Sequence, residues 1–231
     1  MNEDIQRNFV KYSFYKVLPE WKLLSEDDKS HSKDEFIEVL SEFSHDIRVS
    51  SYSLVGTRGD VDFMLWKICQ DIESVNILMA QLNRTHLGKF LSTTHSYLAM
   101  TDRSPYVDEH QHEGQEGTSA DMRIIGRPYL FVYPFVKTNE WYQLSLPERQ
   151  ELMTEHFQIG HKYPDIKIST AYSFGLDDQE FVLGFETDNP GAFLELVRDL
   201  RESKARPFTL RDTPIFTCLN KPIRECLEDL G

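Results

Sequence analysis

The residue of greatest chemical interest in this sequence is His156, on the apolar side of a predicted helix. The letters S-L-P-E from Ser145 fit a capping box with an early proline, which predicts that the helix begins there. At 100° per residue, His156 falls within about 60° of Leu152, Ile159 and Tyr163. The spacing therefore predicts an imidazole in the middle of a buried stripe.

A buried histidine needs a partner for at least one ring nitrogen. One interpretation is a core histidine that bonds to a backbone carbonyl. The other is a metal ligand, since neutral imidazole is the commonest one. No second ligand stands three or four residues after His156, and neither HExxH nor CxxC occurs. A lone histidine at an apolar wall suits haem iron, to which the porphyrin gives four nitrogens. From the residues alone, both interpretations stay open.

The predicted strand just before this helix, residues 129–137, carries Tyr133 and Lys137, and Trp141 follows it. Taken by themselves, Tyr133 would pack in the core and Lys137 would extend its ammonium to solvent. Trp141 would pack at the start of the helix or form the edge of a pocket.

The composition indicates the class of protein. The chain has 231 residues, 40% hydrophobic and 27% charged, as in soluble globular proteins. The net charge of −13 disfavours nucleic acid and anionic membrane surfaces as partners. No apolar run approaches the roughly 20 residues of a membrane span, and no signal-peptide pattern is present. Three cysteines without metal-ligand spacing indicate free thiols, so we expect a cytoplasmic protein.

The predicted elements occur twice in the same order. In the first half they are strand 11–17, helix 25–43, strands 47–56 and 60–68, helix 73–88 and strand 90–100. In the second half they are strand 129–137, helix 145–162, a strand pair in 167–187, helix 189–202 and strand 207–219. The order is β-α-β-β-α-β both times, so the sequence predicts an α+β fold of two ferredoxin-like βαββαβ units.

These repeats predict the domain boundaries. We expect an N-terminal unit at 1–102 and a C-terminal unit at 128–231. Residues 103–127 between them are polar, contain glycine and have no periodicity. The segment is too long for an ordinary connection, so it is either a linker or a functional lid.

Several segments together resemble one protein family. YPFVKTNEWYQLSLPERQELMTEHFQIGHKYP, followed by YSFGLDDQEFVLGFET and RDTPIFTC, is similar to the chlorite dismutases, a family that includes the coproheme decarboxylases of bacterial haem synthesis. SYSLVGTRGDVDF in the first half resembles members too. The resemblance implies that the two ferredoxin-like βαββαβ units form a dimeric α+β barrel, usually assembled as a homopentamer. It also implies haem in the C-terminal unit, with His156 as the proximal iron ligand.

The resemblance distinguishes two chemistries. Oxygen-evolving chlorite dismutases carry a distal arginine downstream of the proximal histidine, at the position of Ile168 or Ser169 here. Neither side chain can replace a guanidinium, although Ser169 is expected to contact the porphyrin. Those enzymes also place a glutamate against the proximal imidazole, where this chain has about Ala205. Chlorite cleavage is therefore disfavoured.

The resemblance to the decarboxylases includes Tyr133 and Lys137. In that family, hydrogen peroxide and iron oxidise the matching tyrosine to a radical, which attacks a propionate of iron coproporphyrin III and releases carbon dioxide. A phenol suits this step because its O–H can lose an electron and a proton together. Lys137 would hold a propionate, and Trp141 would border the pocket.

Other predicted site residues come from neighbouring segments. Some decarboxylases use a distal histidine in peroxide cleavage, and His110 and His112 lie in the 103–127 segment. We expect one of them to face the iron. Arg123, Arg127 and Arg211 are near enough in sequence to meet propionates, although surface positions are equally compatible.

Three functions remain open at this point. The first is peroxide-dependent decarboxylation of coproheme to haem b. The second is a chlorite dismutase-like haem b protein with chlorite-degrading or weak peroxidase activity. The third is a non-catalytic haem carrier or sensor.

Overall fold

A computed structural model describes residues 7–106 and 122–231. The strands in these ranges are β1 (Phe9–Val17), β2 (Ile47–Ser53), β3 (Phe63–Cys69), β4 (Leu91–Met100), β5 (Tyr129–Lys137), β6 (Lys167–Tyr172), β7 (Phe181–Thr187), β8 (Thr209–Arg211) and β9 (Phe216–Asn220). The α-helices are α1 (Glu26–Glu42), α2 (Ile72–Leu82), α3 (Asn139–Gln143), α4 (Leu146–Gly160), α5 (Pro190–Arg201) and α6 (Ile223–Glu228).

The two halves have the same strand order, which confirms the predicted α+β fold. In the first half the order across the sheet is β4-β1-β3-β2, and in the second it is β9-β5-β7-β6. Numbered within each unit, both read 4-1-3-2, and all pairings are antiparallel. This is the split βαβ arrangement of ferredoxin-like units.

The strand pairings close on themselves within the chain. Met100 of β4 pairs with Tyr172 of β6, and β2 pairs with β9 at Tyr52 and Ser53. In the part of the chain that the structure describes, eight strands therefore form a ring, with β8 added beside β5. The inner surface of the ring is a buried cluster rich in aromatic residues, among them Tyr12, Phe14, Trp66 and Phe216.

Helices cover the outer surface of the N-terminal unit. Phe36 and Leu40 of α1 are buried against the sheet, as their spacing predicts. Helix α6, which the sequence patterns did not indicate, joins the same cluster with Cys226 and Leu227. Six residues are too few to show a helical period, and this explains why α6 was missed.

Two predicted elements end or break earlier than expected. The helix predicted to reach residue 88 ends at Leu82. The chain then turns back so closely that a Cβ on Gly88 would lie 2.0 Å from the Leu82 carbonyl oxygen, so only glycine fits there. The last predicted strand is divided into β8 and β9. Pro214 lies between them and has no N–H to donate to a strand ladder.

An offset of 120 residues relates the first elements of the two units. It maps β1 onto β5, the 3-10 helix Pro19–Leu23 onto α3 and the first residue of α1 onto that of α4. Trp21 matches Trp141, and both are buried. The predicted capping box of α4 is confirmed, and in α1 the Ser25 side chain accepts a hydrogen bond from the backbone N–H of Asp28. Under this offset, Phe36 is the counterpart of His156.

The core position of α6 leads to a stability prediction. Replacing Leu227, which is fully buried, with alanine should lower the free energy of unfolding by about 2–5 kcal/mol, because it leaves a cavity. Urea unfolding followed by tryptophan fluorescence measures the change. The control is Leu23→Ala at a position 85% exposed, where the loss should be below about 0.5 kcal/mol. Equal effects at both positions would contradict the packing of α6.

Candidate active site

Tyr133 and Lys137 lie on the same outer face of the C-terminal sheet. They are four residues apart on β5, and side chains alternate along a strand. Tyr133 is 8% exposed and stacks on Phe185 of β7, with ring centroids 5.5 Å apart. Burial raises the pKa of the Tyr133 phenol well above its ordinary value, so the hydroxyl keeps its proton. No described residue hydrogen-bonds to that hydroxyl.

Lys137 is held beside an aromatic wall. Its Nζ lies 4.0 Å from the centre of the Trp141 ring and 5.3 Å from that of Phe135. Burial lowers the pKa of the ammonium to about 8, with the charge of Arg206 adding to the effect and that of Glu180 opposing it. The predicted pair Lys137 and Trp141 is therefore adjacent in space, and Lys137 does not extend freely into solvent.

His156 projects from α4 near the same end of the face. Burial lowers the pKa of its imidazole to about 4, and the charge of Lys137 lowers it further. The ring meets Phe157 edge-on, and no described residue hydrogen-bonds to its nitrogens. The core-histidine interpretation requires such a bond. The described residues instead leave a neutral imidazole with an available lone pair.

The apolar stripe of α4 is less buried than its spacing predicts. Ile159 and Tyr163 pack against the cluster that contains Tyr133, yet no residue of α4 is fully buried. In α1, by contrast, Phe36 is 1% exposed. Both helices make their closest backbone contacts with other helices, α4 with α5 and α1 with α2 and α6, so the difference lies in how deeply their side chains are buried. Apolar surface between α4 and the sheet consequently stays accessible, including Ile168 of β6, which is 39% exposed.

The strand register corrects the prediction for Ser169. Ile168 pairs with Phe185, whereas Ser169 pairs with Gly184. Since directly paired residues point to the same side, Ile168 shares the face of Tyr133 and Ser169 points to the inside of the ring. A shift of one residue in the alignment therefore decides whether Ile168 or Ser169 lies on the face of Tyr133.

The three predicted arginines do not gather at this face. Arg127 forms an ion pair with Asp188 and lies six residues before Tyr133, about 20 Å along an extended strand. Arg123 is exposed and lies four residues before Arg127. Arg211 pairs with Val136, and its charge acts on Tyr97 inside the ring. The structure thus directs the side chains of Arg127 and Arg211 away from Tyr133, while Arg123 is exposed.

Two other arginines, which the sequence patterns did not indicate, lie near Tyr133. Arg201 and Arg206 both form ion pairs with Asp212, and all three charges act on the Tyr133 phenol. Arg201 ends α5 and Arg206 begins a 3-10 helix, so no strand or helix period connects them. The pairing of Lys137 with Thr209 brings this segment to the site.

His110 and His112 lie outside the described residues. The described residues before them end at Tyr106, whose ring lies 6.2 Å from that of Trp141. Gln150 of α4 donates a hydrogen bond of 3.1 Å to the Tyr106 carbonyl oxygen. The chain thus enters this segment beside Trp141 and α4.

The arrangement can bind a flat, anionic, metal-bearing molecule. It offers one neutral imidazole, an aromatic and aliphatic surface, and several cations at the border. Residues 7–106 and 122–231 contain no group of three or more His, Cys, Asp or Glu side chains that could hold a metal ion. In the same ranges, no helix combines the length and apolar character needed to cross a lipid bilayer.

Comparisons with known proteins find relatives along most of the chain. The chlorite dismutase family model matches residues 29–221. A coproheme decarboxylase from Mycolicibacterium smegmatis is 32% identical over 167 residues, covering 72% of this chain and 70% of that protein. A coproheme decarboxylase from Staphylococcus carnosus is 28% identical over 211 residues, covering 84% of each.

Solved structures show the same similarity in three dimensions. An arginine-to-lysine variant of the chlorite dismutase from Candidatus Nitrospira defluvii has a TM-score of 0.89 at 25% identity, covering 98% of this chain and 95% of that one. The same enzyme in complex with imidazole has a TM-score of 0.88 at 26% identity, covering 96% and 94%. The similarity includes both βαββαβ units.

The low pKa of His156 predicts a pH dependence of stability. The folded protein keeps this imidazole neutral down to about pH 4, while an unfolded histidine takes up its proton near 6.5. Wild type should therefore lose stability as the pH falls from 7 to 5, relative to His156→Phe, which copies the Phe36 counterpart. Urea unfolding at both pH values measures this. Exposed His45→Gln is the control, and an identical pH dependence of wild type and His156→Phe would overturn the prediction.

Proposed function

This chain belongs to the chlorite dismutase family, and on that premise we propose that it is a haem-dependent oxidoreductase that decarboxylates iron coproporphyrin III to haem b with hydrogen peroxide. The observation that carries the proposal is the placement of His156, Tyr133 and Lys137 around one strand face. The relatives from Mycolicibacterium smegmatis and Staphylococcus carnosus, both named coproheme decarboxylase, support it.

The described residues fit a haem group. His156 is neutral at physiological pH and has a free lone pair, which is what a proximal iron ligand requires. The strand face that carries Tyr133 adds an aromatic and aliphatic surface, through half-buried Phe135 and exposed Ile168. These features suit the face of a macrocycle better than a polar substrate, because they offer dispersion contacts and few hydrogen bonds.

Tyr133 is the proposed redox-active residue. With peroxide, the iron porphyrin supplies the oxidising power. Burial keeps the Tyr133 phenol protonated throughout the physiological pH range, so one electron and one proton can leave it together. Its hydroxyl has no described protein partner and is therefore available to a propionate of the substrate.

The cations near Tyr133 would bind carboxylates. Lys137 carries no ion pair among the described residues, while Arg201 and Arg206 share the single carboxylate of Asp212. These three partly buried cations thus face two carboxylates, those of Asp212 and Glu180, and a surplus of positive charge favours an anionic ligand. Iron coproporphyrin has four propionates and haem b has two, so this excess of positive charge favours the more acidic molecule. A bound carboxylate would raise the pKa of Lys137 from its value of about 8.

Chlorite cleavage fits the same site less well. Ile168, not a guanidinium, stands on the strand face where the family's distal arginine would project. Ala205 is buried and cannot polarise an imidazole. The chain therefore lacks a guanidinium that would hold a chlorine oxyanion at the first position and a carboxylate that would raise the basicity of the imidazole at the second.

We also propose that the N-terminal unit, 1–102, supports the site and that the C-terminal unit, 128–231, carries it. A homopentamer in the cytoplasm is the proposed state. Large apolar side chains on the surface, including Leu194 and Leu210 at 56% and 69% exposure, support self-association. Light scattering of the purified protein measures the number of copies, and a stable monomer would exclude the pentamer.

The proposal predicts the behaviour of Tyr133→Phe. The variant should bind iron coproporphyrin with the affinity of wild type and release no carbon dioxide on addition of peroxide, because phenylalanine has no O–H to lose. Mass spectrometry of the porphyrin measures the product. Tyr129→Phe on the same strand and face is the matched control and should remain active. Normal haem b formation by Tyr133→Phe would refute the proposed role.

The role of the two histidines in the 103–127 segment stays a prediction. If one of them assists peroxide cleavage, changing both His110 and His112 to alanine should slow turnover by about 100-fold or more at low peroxide. Binding of iron coproporphyrin should be retained. Unchanged peroxide-driven turnover would exclude both residues.

A further inference from the structure

Arg149 lies on the same side of α4 as His156. The two residues are seven positions apart, which is two turns of helix, so their directions differ by only about 20°. Along the helix axis they are separated by about 10 Å. A flat molecule bound through His156 would therefore extend its rim toward Arg149 on one side.

The guanidinium of Arg149 lacks a partner among the described residues. Its Nε is enclosed by protein and makes no hydrogen bond. The neighbouring Glu148 is already engaged, because it accepts hydrogen bonds from the backbone N–H and the hydroxyl of Ser145 at the helix cap. A buried N–H of a half-buried guanidinium is costly when it has no acceptor, and an external anion would relieve that cost.

The internal repeat shows how α4 differs from α1 near Arg149. The counterpart of Arg149 is Lys29, whose Nζ lies 2.8 Å from Glu26 in an ion pair. At the position of Glu26, the second unit has Leu146, which is 52% exposed. The cation is thus kept in both helices, while its acidic partner is present only in α1. Helix α4 also has His156 where α1 has Phe36, so the cation without its acidic partner and the candidate iron ligand occur in the same helix.

We infer that Arg149 binds a carboxylate at the rim of the porphyrin. This inference rests on the proposed function and adds a specificity residue to it. Two N–H groups of the planar guanidinium can donate parallel hydrogen bonds to one carboxylate, and a lysine could not reproduce this geometry. Tyr142, whose phenol is influenced by the charge of Arg149, lies next to the same position. The contact lies on α4, on the iron-ligand side of the site, and not on the strand that carries Tyr133.

Binding measurements with two ligands test the inference. Arg149→Gln should weaken the binding of iron coproporphyrin III about tenfold or more, as absorbance titration of the apoprotein measures. The tetramethyl ester of the same iron porphyrin has no carboxylates, so its dissociation constant should be the same for Arg149→Gln and wild type. Lys29→Gln is the matched control and should change neither value.

The outcomes separate the inference from the proposed function. If wild type binds neither iron porphyrin, the proposed function fails. If wild type binds iron coproporphyrin and Arg149→Gln binds it equally well, only the role of Arg149 is wrong. Equal losses for acid and ester would indicate a general disturbance of α4 and would also overturn that role.

Discussion

The placement of one imidazole in a largely apolar environment, without a described hydrogen-bond partner, is the constraint on which the site depends. A histidine there is less favourable for folding than an apolar residue would be, since its polar nitrogens lose water. Helix α1 carries Phe36 at the matching position and buries it. A metal ion bound by the lone pair of the ring would explain why accessible apolar surface and cations lie near His156.

The two units show how one fold can provide both a core and a site. In the N-terminal unit, α1 lies on the sheet and α6 fills the remaining space with Cys226 and Leu227. Trp21 also donates a hydrogen bond of 2.9 Å to the Gly231 carbonyl oxygen. In the C-terminal unit, no residue of the equivalent helix is fully buried, although Ile159 packs against the cluster on the sheet. The same arrangement of strands and helices is thus closed by its own chain in one half and left accessible in the other.

The fold could be predicted from sequence because its signals are local and occur twice. Strand β5 has the predicted bounds, and the capping box fixed the start of α4. His156 was found because a single polar residue interrupts an apolar stripe. The remaining features depend on contacts between distant segments. Arg201 and Arg206 reach Tyr133 through the pairing of β5 with β8, and that pairing has no periodic pattern. The prediction for Ser169 differs from the structure for another reason. A one-residue shift reverses the side to which a strand residue points.

The closed ring of strands has a consequence for how the two halves depend on each other. Strands β2 and β4 lie at the borders of the first unit, and β6 and β9 lie at the borders of the second. Each border strand is bonded to the opposite unit, at Met100 with Tyr172 and at Tyr52 and Ser53 with β9, so among the described residues neither half ends in a fully open edge that could recruit foreign strands. A gene fragment that encoded one half would create such edges. The two halves of the sheet beneath His156 therefore depend on each other at these borders, although they repeat the same order of elements.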